Sequence, residues 1–330
     1  MKLSVRHSQI LALLVAFGPM HALAQENDAS FDTRFDNCLL REIHMDVEHD
    51  NLDEIKAQCL SEVQASTEHV SPTRHSLEKE TENNPFVITP YRQNYILPIT
   101  EMSQVNTAPY TSDIFEGKSD ELKDEEIKFQ ISFKMPLVED GIFNEEDQIY
   151  FGFTLKSFWQ AYSSDISAPF RETNYRPEIF YESPLPIDSS EGVWFTRVGF
   201  EHESNGRTQE LSRSWNRIYG GIGYAEDDLM VYLEPWYRIP DSDDDNPDIE
   251  DYMGHFELTA AYKYQAVEFS GVARYNFRTG YGGFEAGMSF PLIGRIRGYV
   301  QYYQGYGESL IDYNYNNKRI GVGVLLTDIL

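Results

Sequence analysis

The chain has 330 residues, with 27 Lys plus Arg against 54 Asp plus Glu and a formal net charge of −27. That balance excludes a nucleic-acid binder working by phosphate counterion release, which needs a basic surface. With 41% apolar and 14% aromatic residues, the chain is not intrinsically disordered, and its length suits one large domain or two ordinary ones.

Residues 1–24 read as an export signal. Lys2 and Arg6 precede the apolar run Ile10–Phe17, and Ala22-Leu23-Ala24 is an A-x-A cleavage site. No later stretch reaches the roughly 18 apolar residues that a spanning helix needs. Export then leaves a soluble periplasmic protein, a secreted protein or a transmembrane β-barrel.

Residues 25–84 form an N-terminal periplasmic segment, with 15 acids against 5 bases. Leu39, Leu40, Ile43 and Val47 repeat at helical spacing, as do Leu52, Ile55, Cys59 and Val63. The spacing predicts a helical hairpin with Asn51 capping the second helix, followed by a polar linker. Cys38 and Cys59 are the only cysteines, and an oxidising compartment favours their pairing.

From residue 85 to 330 the pattern becomes strict alternation, which sets apolar and polar side chains on opposite faces of a strand. Ile127, Phe129, Ile131, Phe133 and Met135 alternate with Lys128, Gln130, Ser132 and Lys134. Twelve such runs lie near 91–100, 127–137, 148–160, 177–184, 193–204, 215–225, 229–239, 254–264, 266–277, 281–292, 295–306 and 318–330. The polar face carries charges of both signs (Lys134, Lys156, Arg197, Arg217, Arg238, Glu257, Glu268, Arg274 and Arg297), as a barrel interior can when they pair. Aromatic residues cluster near run ends, and the count of runs is even. The fold class is therefore all-β: a twelve-stranded antiparallel transmembrane β-barrel with a short helical N-terminal segment. Leu330 stands where bacterial barrels usually end in Phe. With the N-terminus in the periplasm, the long connections 101–126, 161–176, 205–214, 240–253 and 307–317 are extracellular. The acidic stretches 112–126 and 241–251 read as solvated loops.

One strand end carries unusual chemistry. In Val193–Ser204 the even positions Trp194, Val198 and Phe200 face lipid, so His202 and Ser204 share that face. A hairpin centred near residue 209 sets Asn216 opposite His202, within side-chain reach. Polar groups on a lipid-facing surface are costly unless they satisfy one another. Serine, histidine and asparagine together can act as nucleophile, base and orienting group. The alternative is a polar patch that marks where the hydrocarbon ends.

Here the sequence resembles a family. Phe200-Glu201-His202-Glu203-Ser204-Asn205-Gly206-Arg207 and Ser212-Arg213-Ser214-Trp215-Asn216-Arg217 look like the signature of bacterial outer-membrane phospholipase A. Ser167–Tyr175, Asp244–Ile249, Thr279–Gly283 and Gly305–Asn314 are similar as well, so the likeness runs from about residue 85 to the end. The resemblance implies a twelve-stranded outer-membrane barrel that hydrolyses sn-1 and sn-2 acyl esters of phospholipids and lysophospholipids. It implies Ser204 as nucleophile, His202 as general base, Asn216 as its orienting partner and the Gly206 N–H as oxyanion donor. It also implies calcium (Ca2+), held by Ser167 of a partner chain, the Arg207 carbonyl and Ser212, and activation by homodimerisation. A second calcium site is implied at Asp244, but Gln209 stands where the family has a carboxylate. Leu155 replaces a glutamine of the family's dimer interface, which puts dimer strength in question. The reading from a different class is a non-catalytic pore or adhesin.

Overall fold

The structure, a computed structural model, describes residues 88–330 apart from 111–118, 139–140, 144–145, 188–191 and 295, together with Lys56 and Cys59. Lys56 and Cys59 are helical, while the signal peptide, Cys38 and the rest of the expected helical hairpin lie outside the described residues. Cys59 is buried and is not a free thiol.

Strands follow one another as β1 (Thr89–Pro90), β2 (Asn94–Met102), β3 (Glu125–Pro136), β4 (Gln148–Trp159), β5 (Phe170–Pro184), β6 (Val193–Ser204) and β7 (Ser214–Glu226). They continue as β8 (Leu229–Ile239), β9 (Phe256–Tyr264), β10 (Val267–Tyr275), β11 (Gly282–Ile293), β12 (Ile296–Gly305) and β13 (Asn317–Thr327). Each strand from β2 to β13 pairs antiparallel with its sequence neighbours, and β13 returns to β2, which closes the barrel. The two-residue β1 is a bridge onto β3. Closure leaves no unpaired edge, the condition a strand protein must meet in lipid. All twelve expected strands are present.

One boundary moved. β5 begins at Phe170 rather than 177, so the connection before it is short. A bulge is the reason: Phe158 pairs with Glu172 but Trp159 pairs with Phe170, leaving Arg171 as the extra residue. Arg171 and Glu172 therefore both turn inward and are buried, which breaks the alternation that sequence reading follows.

Along the other strands the parity holds. Ile131, Ile179, Val198, Ile218, Ile320 and Val322 are all half exposed or more and form an outer apolar belt. The interior is polar and filled. Arg217, Tyr219, Trp236, Arg238, Tyr299 and Tyr303 are buried inside. Among the described residues many of these charges pair: Arg274 with Glu257 at 2.8 Å, Arg297 with Asp328 at 2.8 Å, Arg171 with Asp312 at 2.7 Å and Lys128 with Glu308 at 3.1 Å. Glu268 instead accepts the N–H groups of Ile329 and Leu330 at 3.0 and 3.1 Å, tucking the last residues against the wall.

The long connections gather at one end of the barrel. There Leu211, Ile166, Tyr110, Leu122, Met102, Val105 and Ile311 form a buried apolar cluster that ties four connections together. The same end carries an α-helix, α1 (Ile249–Met253), inside a stretch that reads from sequence as an acidic loop. Ile249 and Met253 are buried, so they anchor it while its acids face out.

Candidate active site

The β6–β7 hairpin has the expected register, with His202 opposite Asn216 and Ser204 opposite Ser214. His202, Ser204 and Asn216 lie on the outer face at the long-connection end and are each partly exposed. His202 Nδ1 lies 2.9 Å from Asn216 Oδ1. An amide oxygen only accepts, so the imidazole proton sits on Nδ1 and the lone pair on Nε2 is free to take another. Ser204 is two residues further on the same face, about 7 Å along the strand.

The inner face of this hairpin holds the outer face still. Glu201 pairs with Arg176 at 2.7 Å and with Arg217, while Glu203 accepts from Trp215 Nε1 at 2.9 Å. Arg217 stacks over the Trp215 ring at 3.8 Å. Glu201 and Glu203 bracket His202, so lumen ion pairs fix the backbone from which the imidazole projects.

Beyond Ser204 the chain turns sharply. Gly206 has φ +62°, a left-handed conformation that side chains with a Cβ adopt only at a cost. A Cβ there would touch the Tyr175 ring at 3.4 Å, so the backbone, not crowding, calls for glycine. Arg207 reaches back with Nη2 to the carbonyls of Phe170 and Arg171 at 2.8 and 3.1 Å. Leu211 plugs the apolar cluster from the other arm of the loop.

The four expected metal ligands lie in three connections. Ser167 follows a single turn, Ser164–Ile166, at φ +62°. Trp159 braces that turn by donating Nε1 to the Ala168 carbonyl at 2.8 Å and stacking on Phe170. Arg207 and Ser212 share the loop after Ser204, and neither the Arg207 carbonyl nor the Ser212 hydroxyl is spent on a hydrogen bond within the described residues. No cluster of three or more Asp, Glu, His or Cys among the described residues has metal-site geometry. A cation held by Ser167, the Arg207 carbonyl and Ser212 would rest on neutral oxygens, a donor type that calcium accepts. Asp244 is placed differently: Oδ1 takes Arg238 Nη2 at 2.6 Å and the Asn246 N–H at 3.0 Å. A guanidinium thus already compensates its charge, and Gln209 brings no carboxylate. Leu155 faces outward between Ile131 and Tyr175 in register.

Sequence reading passed over several residues that shape this end. Glu126 lies in a stretch read as a solvated acidic loop, yet it is fully buried and bound by Arg171 and Arg319 at 3.0 and 2.7 Å. Asn205 and Glu172, both buried, received no role beyond belonging to matching motifs. The signal for Glu126 was available, since it directly precedes the alternating Ile127, Phe129 and Ile131 and shares the parity of Lys128 and Gln130 on the polar face.

A closed barrel with an apolar outer belt, a filled charged lumen and a histidine–asparagine pair beside a serine on the outer face defines an outer-membrane β-barrel with the elements of a hydrolase. A family model described as Phospholipase A1 matches residues 72–326. The Phospholipase A1 of Klebsiella pneumoniae is 42% identical over 250 residues, spanning 75% of this chain and 85% of that protein. Its counterpart in Escherichia coli K12 is 41% identical over 250 residues, spanning 75% and 84%. Among solved structures, the Salmonella typhi outer-membrane phospholipase, a dimer with bound calcium, matches with a TM-score of 0.70 and 40% identity over 76% of this chain and 95% of that one. An active-site asparagine-to-alanine mutant of Escherichia coli outer-membrane phospholipase A matches with a TM-score of 0.70 and 39% identity, over 75% and 95%. The chain belongs to the phospholipase A1 family. As a phospholipase it is a carboxylic ester hydrolase.

Proposed function

We propose that Ser204, His202 and Asn216 hydrolyse the sn-1 and sn-2 acyl esters of phospholipids and lysophospholipids at the outer leaflet of the outer membrane. The observation that carries this reading is the 2.9 Å bond from His202 to Asn216 on the outer face, two residues from Ser204. Ser204 Oγ attacks the ester carbonyl carbon while its proton passes to His202 Nε2. The tetrahedral oxyanion is met by the Gly206 N–H. Collapse breaks the bond to the glycerol oxygen, which leaves as lysolipid with the proton from His202. Water, deprotonated by the same imidazole, then frees the fatty acid and returns Ser204. Asn216, a neutral partner, keeps the proton on Nδ1 throughout and so keeps Nε2 available.

Calcium binding is part of the proposal, with the Arg207 carbonyl and Ser212 hydroxyl of one chain and Ser167 of a partner as its neutral donors. Bound there, the ion would place positive charge near the developing oxyanion. Asp244 is the weaker candidate, since it would have to release Arg238. One solved relative is a dimer with bound calcium, which supports calcium and dimerisation, and another carries an active-site asparagine mutation, which supports a role for an asparagine. The outward apolar row Ile131, Leu155 and Tyr175 supplies a surface for a second copy within the membrane. A homodimer would keep the site silent until two chains meet. The long-connection end faces outward in this reading, with the 25–84 segment in the periplasm.

A long-chain alkyl sulfonyl fluoride tests the nucleophile directly. The expected adduct maps by peptide mass to Ser204 and disappears in His202→Ala. An adduct on any other residue, or undiminished labelling without His202, overturns the assignment.

A further inference from the structure

Ser204 and Gly206 flank a residue with no role in the chemistry described so far. Asn205 is buried, and its side chain points into the barrel mouth. Oδ1 accepts the N–H of Arg207 at 3.2 Å and the N–H of Arg213 at 3.0 Å. Nδ2 donates to the Leu211 carbonyl at 2.8 Å and to Glu172 Oε2 at 3.4 Å. Its own N–H donates to the Arg213 carbonyl at 3.1 Å. One side chain thus joins both arms of the loop 205–213.

Glu172 is fully buried and, among the described residues, forms no ion pair. A carboxylate buried without a cation must be stabilised by hydrogen bonds. Its Oε1 accepts Asn174 Nδ2 at 2.7 Å and the Ile311 N–H at 3.2 Å. Asn174 Oδ1 in turn accepts the Leu310 N–H at 3.1 Å. Glu172 therefore stands between the Asn205 amide and the backbone of the connection 306–316.

We propose that Asn205 and Glu172 are positioning residues that clamp the left-handed Gly206 turn onto the connection 306–316, so that the Gly206 N–H is preset toward the oxyanion. This rests on the roles of Ser204 and Gly206 in the proposed function. An amide donates on one side and accepts on the other, so the chain of bonds has a direction: the loop N–H groups point at Asn205, Asn205 donates to Glu172, and Glu172 gathers N–H groups from the far connection. Reversing the polarity at one link breaks it. Reversing both links restores the bond between 205 and 172, while the bond to the Leu211 carbonyl stays lost.

The test is a double-mutant cycle with Asn205→Asp and Glu172→Gln, assayed on phospholipid micelles with the full-length enzyme. Rates are normalised to barrels that keep their unheated gel mobility. Asn205→Asp sets two carboxylates face to face; Glu172→Gln sets two amide donors face to face. Each single change is expected to lower kcat at least tenfold with KM changed less than about twofold. In the double variant the new glutamine donates to the new aspartate but the Leu211 carbonyl loses its donor, so kcat is expected to recover in part, to above either single variant. A general stability role would instead lower the folded fraction and leave the two losses additive. Additive losses in kcat, or a wild-type kcat in Glu172→Gln alone, overturn the proposal. If Asn205→Asp does not fold, Glu172→Gln alone decides the matter on the same kcat criterion. Ser204→Ala run alongside separates the two claims. Activity surviving in Ser204→Ala removes the triad itself, whereas an inactive Ser204→Ala with an additive cycle removes only the clamp.

Discussion

In the proposed triad Asn216 does for His202 what a buried carboxylate does in many serine hydrolases, but without charge. At 2.9 Å its oxygen fixes the imidazole tautomer and offers no ionic stabilisation to the imidazolium. Asn216→Ala should therefore lower kcat about tenfold to a hundredfold, the scale of one oriented hydrogen bond of roughly 1–3 kcal/mol, while leaving the barrel folded. Steady-state kinetics on micellar phospholipid checks this, and an unchanged kcat would remove Asn216 from the site. Gly206→Ala meets a different obstacle. The left-handed φ of +62° costs a residue with a Cβ about 1–2 kcal/mol, so the turn opens and kcat falls more than KM rises. At this scale the sequence was unusually legible. Parity alone put His202, Ser204 and Asn216 on one face, because a strand's side-chain period is two and the hairpin register followed from one turn centre. Asn205 was not legible, since its importance lies in four side-chain hydrogen bonds that exist only once the loop closes.

The strands were read correctly wherever alternation was clean and misread where a bulge broke it. Arg171 is the extra residue of the β4–β5 pair. Pointing inward beside Glu172, it makes Phe170–Arg176 look like loop in sequence and strand in three dimensions. The consequence bears on the site, because the turn holding Ser167 directly precedes this bulge and Trp159 spans it. Trp159→Phe keeps an apolar ring but removes the 2.8 Å bond to the Ala168 carbonyl. Its expected effect is a severalfold rise in the calcium concentration needed for half-maximal activity, with maximal rate at saturating calcium little changed. A calcium titration measures it; an unaltered midpoint would separate the Trp159 brace from the metal site. Chelation with EDTA should abolish hydrolysis by the wild type, and activity that persists in EDTA would remove calcium from the mechanism.

The barrel as a whole explains where the −27 goes. The acids are not confined to solvated stretches, since Glu126 of β3 and Glu308 of the connection 306–316 are buried beside Arg171, Arg319 and Lys128. Pairs such as Glu126–Arg319 join residues far apart in sequence, and only closure of the sheet brings them together, so no local pattern revealed them. Glu308 lies in the connection 306–316. Burial pushes its carboxyl up, but Arg319 and then Lys128 outweigh that and hold it down to about 2. A depressed carboxyl stabilises the fold above its ordinary value near 4.5, and that contribution is lost as pH falls toward 2. Glu308→Gln should flatten this acid sensitivity, read as the fraction of barrel retaining unheated gel mobility between about pH 4 and pH 2. A filled lumen also separates an enzyme from a pore. Planar-bilayer recordings of the purified barrel should show no stable channel conductance, and porin-like steps would favour the transport reading.

The central claim is that one outward-facing serine carries the hydrolysis. Ser204→Ala, purified as a folded barrel and assayed on phospholipid micelles with calcium, should release fatty acid no faster than the enzyme-free control. Fatty-acid release at the wild-type rate would contradict the account.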